Sequence, residues 1–453
     1  MLPQKASHIG LFDAKSGYGV TAPIYSLKEN AHGAQIALHS RPKCRIYSNA
    51  AGASPGQHTI PHAILLSELS NVKYNCANFG GSLEKSLSFS TNPAIWGIGK
   101  GAGMWYNTGD HKWIAGVPME TKQKTAYFEW LRLLASAAVV LMHTAARRWL
   151  SISHTLPEWQ ALTRWDSLVR WPVPIFIMVT GALFLPRKTE LKTMLRSYIP
   201  RMAVCYLVWS AVYACYSGEL TAKALATGYY HLWYLPFLCG VYLALPFLQK
   251  IAEDDRLAGA LTVLALSFGC AVPWLMDLGA LLVPEYGPVF AAVRGHLNYA
   301  FFLDLLAALM LGHWLHSHEL PRRHRLVLYV LGLLSVAGTM VLTLRLSAVS
   351  AAPVSLFFEH SSPLNICTAA ALFVFAKYNL TTLPAWVART AKCSFGIYLS
   401  HALVIDLLAD GGYHVLTWDP VWSVPVLSAA VFAISLALTA VLKRVPLLGK
   451  YLV

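Results

Sequence analysis

Apolar and polar positions divide the chain into two unequal parts. From about Tyr127 onward, long apolar runs alternate with short polar segments. A helix needs about 20 predominantly apolar residues to cross the hydrocarbon core of a bilayer. The pattern therefore predicts an all-α integral membrane protein. Its expected membrane helices are ten in number and lie at 127–146, 168–186, 198–216, 231–249, 258–277, 296–315, 325–345, 363–378, 389–409 and 421–442.

The residues before the first run have a different pattern. Residues 1–118 are rich in Ser, Gly, Asn, Ala and His, and they contain neither an apolar run of membrane length nor the apolar core of a signal peptide. We predict a low-order N-terminal extension over 1–118 and a ten-helix membrane domain over 119–453. Since "METKQKTAYFEW" from Met119 resembles a cytoplasmic start, the alternative is that residues 1–118 are misannotated upstream translation. No function is assigned to them.

Composition agrees with a membrane protein. Hydrophobic residues make up 56% of the chain and charged residues 13%, whereas soluble domains carry about 25% charged residues. The formal net charge of +14 does not favour nucleic acid, because the basic residues are dispersed between apolar runs. The eight cysteines form no CxxC pair and no zinc-type spacing with histidine, so we expect no metal.

The distribution of Lys and Arg predicts the orientation. If ten helices alternate across the membrane, 18 basic residues lie on the side of both termini and 7 on the other. Basic residues accumulate on the cytoplasmic side, so both termini are expected in the cytoplasm. Tyr229 and Tyr230, before the fourth span, are interpreted as part of the interfacial aromatic belt, and Asp406 as a helix-end residue.

The first span, "EWLRLLASAAVVLMH", carries ionisable residues that are costly in hydrocarbon. Arg132 and His143 are separated by about three helical turns, so both project from one face, about 16 Å apart along the axis. Glu129 lies three residues before Arg132 and can pair with it. Arginine presents a fixed fork to phosphate, and histidine can accept a proton from a hydroxyl near neutral pH. The alternatives are a snorkelling interfacial pair and a neutral headgroup histidine.

The same residues resemble a known family. An Arg, ten intervening residues and a His in the first membrane helix are similar to the signature of the acyltransferase-3 family of integral membrane acyltransferases. The resemblance continues in "RWPVPIFIMVTGALFL" (170–185), "HLWYLPFLCGVYLALPFL" (231–248), "LNYAFFLDLLAALMLGHWL" (297–315), "SPLNICTAAALFVFAKY" (362–378), "CSFGIYLSHALVIDLL" (393–408) and "LKRVPLLGKYLV" (442–453). Within the family, the chain most resembles the enterobacterial common antigen O-acetyltransferase subgroup.

The resemblance implies an O-acetyltransferase of the bacterial inner membrane. It would transfer an acetyl group from cytoplasmic acetyl-CoA to a sugar hydroxyl of an envelope polysaccharide or lipid-linked glycan. The acyl group could instead be succinyl or longer. Glycan or lipid transporters (flippases) and sensors with a degenerate site are the alternatives from other classes, although neither needs the Arg132–His143 spacing.

The site residues follow from the matched motifs. The resemblance places His143 and Arg132 at the catalytic positions, with Arg170 at the start of the second span and His401 in "YLSH" as substrate-binding positions. His231 and Trp233 would line the site mouth or anchor the interface.

Two further carboxylates complete the predicted site. We expect Glu129 to orient Arg132, and Asp304, which the family pattern does not contain, to orient a histidine or the acceptor. His143 would act as general base, with a transient acetyl-histidine as the alternative.

Overall fold

The computed structural model describes residues 119–296, 300–445 and 449, and its regular secondary structure is helical, with no β-strand in the described part. The all-α prediction is thus confirmed for these residues. The chain divides into two units, Met1–Ile98 and Gly99–Val453, and every described residue belongs to the second. The predicted extension over 1–118 lies outside the described residues.

The longer helices are numbered here in chain order. They are α1 (Met119–Ala146), α2 (Pro157–Ser167), α3 (Pro172–Phe184), α4 (Ile199–Tyr216), α5 (Tyr234–Ala252), α6 (Asp255–Leu264), α7 (Val272–Leu282), α8 (Gly287–His296), α9 (Ala300–Ser317), α10 (Arg322–Val349), α11 (Pro363–Asn379), α12 (Ala385–Ala391), α13 (Ser394–Asp410) and α14 (Pro420–Leu442). The shorter ones are Leu191–Thr193, Ala222–Thr227, the π-helical segments Met194–Tyr198 and Ala265–Ala271, and the 3₁₀ turns Pro284–Tyr286 and Leu356–Phe358.

Six stretches of the described chain are long and apolar enough to cross a membrane. They are Thr125–Ala146, Pro157–Phe184, Tyr234–Ala252, Asp255–Leu282, Arg322–Val349 and Pro420–Leu442. Helices α12 and α13 make a seventh if they count as one span bent by 61°. Each of the ten predicted spans overlaps a helix, but the number ten and the orientation of the termini stay predictions.

The second span differs from its prediction. It begins at Pro157 instead of 168, and α2 and α3 are separated by a short break before Pro172. Pro172 and Pro174 have no N–H to donate to the carbonyls of Leu168 and Arg170, four residues earlier, so α2 does not run on into α3 without a break. Arg170 therefore lies at a break within the span, not at its start.

Helix α9 crosses α3 at very short distance. A Cβ atom added at Gly181 would lie 1.9 Å from the carbonyl oxygen of Leu309, and one added at Gly312 would lie 2.2 Å from that of Met178. Small residues allow such backbone contact between membrane helices, where packing replaces the hydrophobic effect. The crossing therefore requires glycine at both positions.

Helix α1 lies inside the bundle and packs against α3, α13 and α14. Leu131, Ala135 and Val139 belong to the main hydrophobic core, whereas Leu134 is 42% exposed. Because α1 is enclosed on most sides, its polar residues Arg132, Ser136 and Thr144 are buried inside the bundle.

Candidate functional site

Three histidines meet at the C-terminal end of α1. His143 is in the last turn of α1, His401 is in the middle of α13, and His231 precedes α5. The ring centroids are 5.2 Å apart for His143 and His401, 5.0 Å for His231 and His401, and 6.5 Å for His143 and His231. His231 and His401 are buried and His143 is partly exposed. We call these three residues the histidine cluster.

The backbone of α13 determines the tautomer of His401. Its Nδ1 atom lies 2.6 Å from the carbonyl oxygen of Tyr398 and 3.2 Å from that of Ile397. A carbonyl oxygen only accepts, so Nδ1 carries the proton and Nε2 of the neutral ring carries the lone pair. Nε2 is buried and has no hydrogen-bond partner among the described residues. His401 therefore offers an acceptor nitrogen inside the cluster.

Aromatic side chains surround the histidine cluster. The ring of Tyr230 is 5.2 Å from that of His143 and 5.5 Å from that of His231. Tyr213 and Tyr398 lie 5.2 and 5.4 Å from His231. Tyr230, interpreted from the sequence as an interfacial belt residue, thus contacts two of the predicted site residues. Its position beside "HLWYL" was the only sequence signal for this role.

A buried carboxylate joins the end of α1 to α13. Asp406, at 2% exposure, accepts a bond from Arg147 Nη2 at 2.7 Å and one from the Tyr229 hydroxyl at 2.6 Å. The interpretation of Asp406 as a helix-end residue is wrong, because it lies within α13 and ties three segments together. Arg147 follows His143 by one turn, so this contact holds His143 against the helix that carries His401.

Arg170 also lies at the histidine end. Its guanidinium bonds to the fully buried Asp166, four residues earlier, and lies 4.1 Å from the ring centroid of Phe358. Its neighbours Val169 and Trp171 share a hydrophobic cluster with Ala138 and Met142 of α1. The structure thus brings together three of the predicted residues, His143, His231 and His401, and places Arg170 at the same end of α1. No sequence motif pointed to Asp166.

The opposite part of α1 holds the predicted arginine. Arg132 is 4% exposed, and its Nη1 donates to Glu129 Oε1 at 2.9 Å, as the spacing predicted. Arg132 Nε and Glu129 Oε2 are buried without a hydrogen-bond partner in the described part of the chain. Such unpaired polar atoms are costly unless a ligand or water meets them.

Arg187 is a cation just beyond the second span, and its guanidinium carbon lies 5.6 Å from the ring centroid of Phe184. The protein packed around Arg187, although that residue is exposed, lowers the pKa of its guanidinium, and the positive charge of Arg132 acts in the same direction. Arginine does not lose its proton in proteins, and its charged planar fork suits an anion.

Asp304 and Trp233 belong to a different group. Asp304 Oδ2 lies 3.5 Å from His360 Nε2, and the ring of His360 stacks on Trp233 at 5.4 Å. Asp304 thus faces a histidine, but not one of the histidine cluster. Trp233 is 39% exposed and projects away from the neighbouring His231 toward this group. His360 was not singled out from the sequence, since it lies just before the motif at 362–378 and not within it.

No group of three or more His, Cys, Asp or Glu side chains in the described ranges is placed to hold a metal ion.

Comparison with known families decides the class of the protein. The model of a family described as an acyltransferase domain matches residues 125–440, which include all of the helices that form the site. The chain belongs to the acyltransferase-3 family. It is accordingly a multi-pass membrane acyltransferase, and the predicted family is confirmed. No curated protein and no solved structure matches the chain significantly, and the subgroup stays a prediction.

Proposed function

We propose that this acyltransferase moves an acetyl group from cytoplasmic acetyl-CoA to a sugar hydroxyl of an envelope polysaccharide or a lipid-linked glycan. The histidine cluster carries the proposal. In this cluster the partly exposed imidazole of His143, on the helix that also holds Arg132, lies beside the buried imidazoles of His231 and His401. The family supports acyl transfer, and the acetyl donor, the sugar acceptor and the role of His143 are our inference.

The proposal includes a setting in the membrane. Ten spans with both termini in the cytoplasm would place the Arg132 end of α1 toward the cytoplasm and the His143 end toward the outer face of the bacterial inner membrane. The uneven distribution of Lys and Arg supports this orientation. The resemblance in the spacing and in the "HLWYL" segment favours the subgroup that acetylates enterobacterial common antigen.

The donor would bind along α1. The phosphates of acetyl-CoA would lie near Arg132 and near the basic connection that begins at Arg187, because guanidinium forks match phosphate geometry. The partnerless Nε of Arg132 is available to such an anion. From there the extended pantetheine arm would run along the helix and present the thioester about 16 Å away, at His143.

At the histidine end, His143 acts as general base. It takes the proton from the acceptor hydroxyl while the hydroxyl oxygen attacks the thioester carbonyl carbon. The tetrahedral intermediate then collapses, the carbon–sulfur bond breaks, and the proton passes to the CoA thiolate. The products are the acetyl ester and free CoA. His401, whose Nδ1 is bonded to the carbonyl of Tyr398, would accept a hydrogen bond from the substrate at its partnerless Nε2, and Arg170 would stabilise the negative charge that develops at this end of the site.

A transient acetyl-histidine is the mechanistic alternative. In that route the thioester carbonyl is attacked by His143 itself, CoA leaves, and the acceptor hydroxyl then displaces the imidazole. Acid-quenched single turnovers without acceptor distinguish the two routes, because only the second leaves the acetyl group on the protein.

The test uses the full chain in proteoliposomes with acetyl-CoA labelled on the acetyl group and a detergent-free envelope glycan fraction. We expect label in the glycan with wild type and none with His143→Ala. Transfer from succinyl-CoA but not from acetyl-CoA would show that the donor is succinyl-CoA. Movement of the glycan across the bilayer without labelling would show that the protein is a transporter.

A further inference from the structure

A cavity of about 170 Å³ opens beside the histidine cluster, between the end of α1, the end of α13 and α14. Its polar lining comes from Arg147, Arg148, Asp410, Tyr413 and His414, and Leu427 of α14 is part of its apolar floor. Sites for drug-sized ligands measure about 300–1,000 Å³, so this volume suits a single small ring.

The position of the cavity links it to the site. Thr144, which follows His143 directly, and Arg147, one turn further, both line it. Arg147 binds Asp406, which accepts the hydroxyl of Tyr229, and the next residue, Tyr230, contacts His143. The cavity therefore lies at the His143 end of α1, one turn beyond that residue, so a ring bound in it would belong to the part of a glycan next to the one that reaches His143.

The charges around the cavity balance. Arg147 is neutralised by Asp406, and the second arginine, Arg148, faces a cavity that also contains the carboxylate of Asp410. Together with Asp406, which is not part of the lining but pairs with Arg147, the two guanidinium groups and two carboxylates carry no net charge, so neither sign is in excess to attract a charged ligand. A uronate, a phosphorylated sugar or an amino sugar with a free amine would each place one unpaired charge there.

The hydrogen-bonding groups of the cavity are of both kinds. His414 Nδ1 accepts the backbone N–H of Leu416 at 3.2 Å, so in the neutral ring Nε2 carries the proton and donates. Arg148 also donates, whereas Asp410 accepts. The ring of Tyr413 is 54% exposed and offers an apolar face. A sugar ring has hydroxyl groups around its edge and C–H groups on its faces. It therefore fits a cavity that offers hydrogen-bond donors and acceptors next to an aromatic ring.

We propose that this cavity binds one uncharged sugar ring of the acceptor, next to the residue whose hydroxyl His143 deprotonates. The inference rests on the proposed function, which it deepens by naming the class of acceptor. It assigns Tyr413 and His414 as specificity-determining residues in the segment between α13 and α14.

The test compares three probes with the same ring and different charge: methyl glucoside, methyl glucuronide and methyl glucosaminide. Each is titrated into the full chain in lipid nanodiscs without glycosidic detergent, and binding is followed by saturation-transfer NMR. We expect methyl glucoside to bind more tightly than either charged ring. Tyr413→Ala and His414→Ala should each weaken it about five- to tenfold, the effect of one lost contact. Trp418→Ala, an exposed aromatic residue of the same segment, is the matched control and should leave binding unchanged.

Equal or tighter binding of a charged ring, or unchanged binding in both cavity variants, would overturn the inference. The assay needs neither acetyl-CoA nor turnover. Acetyl transfer without binding of methyl glucoside would thus refute the cavity alone, whereas binding without acetyl transfer would refute the proposed function.

Discussion

The two ends of helix α1 hold their polar side chains in different ways. At one end, Arg132 is paired with Glu129 from the preceding turn of the same helix. At the other, His143 is surrounded by Tyr230, His231 and His401, which come from distant parts of the chain. The buried cation needs a partner that is always present, because a lone charge in a low-dielectric interior is very costly. Neutral imidazoles need no such partner, so helix packing alone can assemble them.

This difference suggests a division of tasks. A guanidinium that stays charged and keeps unpaired donors suits an anionic handle, which binds without changing in the reaction. Imidazoles that contact one another can pass or share a proton, which a reacting hydroxyl requires. Variants at the two ends should accordingly change different kinetic constants.

The largest effect is expected from His143→Ala. Loss of a general base lowers rates by about 10²- to 10⁴-fold, so kcat for acetyl transfer should fall by that range while the affinity for acetyl-CoA changes little. Initial rates of glycan labelling measure it. The control is His324→Ala on the exposed start of α10, together with size-exclusion profiles of both variants. Wild-type kcat in folded His143→Ala would remove the histidine end from the mechanism.

Arg132→Ala should mainly change KM for acetyl-CoA. Loss of charge-assisted hydrogen bonds worth about 1.5–3 kcal/mol raises KM for acetyl-CoA about ten- to a hundredfold, with a smaller change in kcat. Arg132→Lys keeps the charge but not the planar fork, so we expect an intermediate KM. A titration of acetyl-CoA gives both constants. If KM stayed constant while kcat fell, the two ends would not have separate tasks.

Asp406→Ala tests the packing that assembles the histidine end. The variant leaves Arg147 and the Tyr229 hydroxyl without their shared acceptor. Arg147 is about half exposed, and water would replace part of the loss, so the free energy of unfolding should fall by about 1–2 kcal/mol. Thermal unfolding in nanodiscs measures it. We also expect kcat to fall several-fold with KM for acetyl-CoA unchanged. Asp406→Asn keeps an acceptor for Tyr229 and should restore part of both losses.

The smallest effect is expected from Glu129→Gln. The amide oxygen can still accept from Arg132 Nη1, so the side chain remains oriented although one charge is lost. KM for acetyl-CoA should change less than about threefold, within the weak range of such local pairs. Glu129→Ala removes the acceptor, so it should change KM for acetyl-CoA more than Glu129→Gln does. A drop in kcat comparable to that of His143→Ala would show that Glu129 acts on the reaction directly.

Much of the helical architecture could be predicted from the sequence. The apolar runs predicted helices where the structure has them. A helix that crosses lipid must be apolar along its own length, so its sequence alone reveals it. The second span was misplaced at its start, since Pro157 to Ser167 is less apolar than the run that follows. Asp406 was misinterpreted because its partners, Arg147 and Tyr229, are 259 and 177 residues away.

The sequence by itself determined that Arg132, Glu129 and His143 share one helix, and that Glu129 can reach Arg132. Such contacts depend only on the 3.6-residue repeat. The tertiary structure decided that Tyr230, His231 and His401 surround His143, whereas Asp304 and Trp233 meet at His360. Those contacts depend on how whole helices pack, as at the crossing of Gly181 and Gly312. The spacing of residues along one helix carries no information about them.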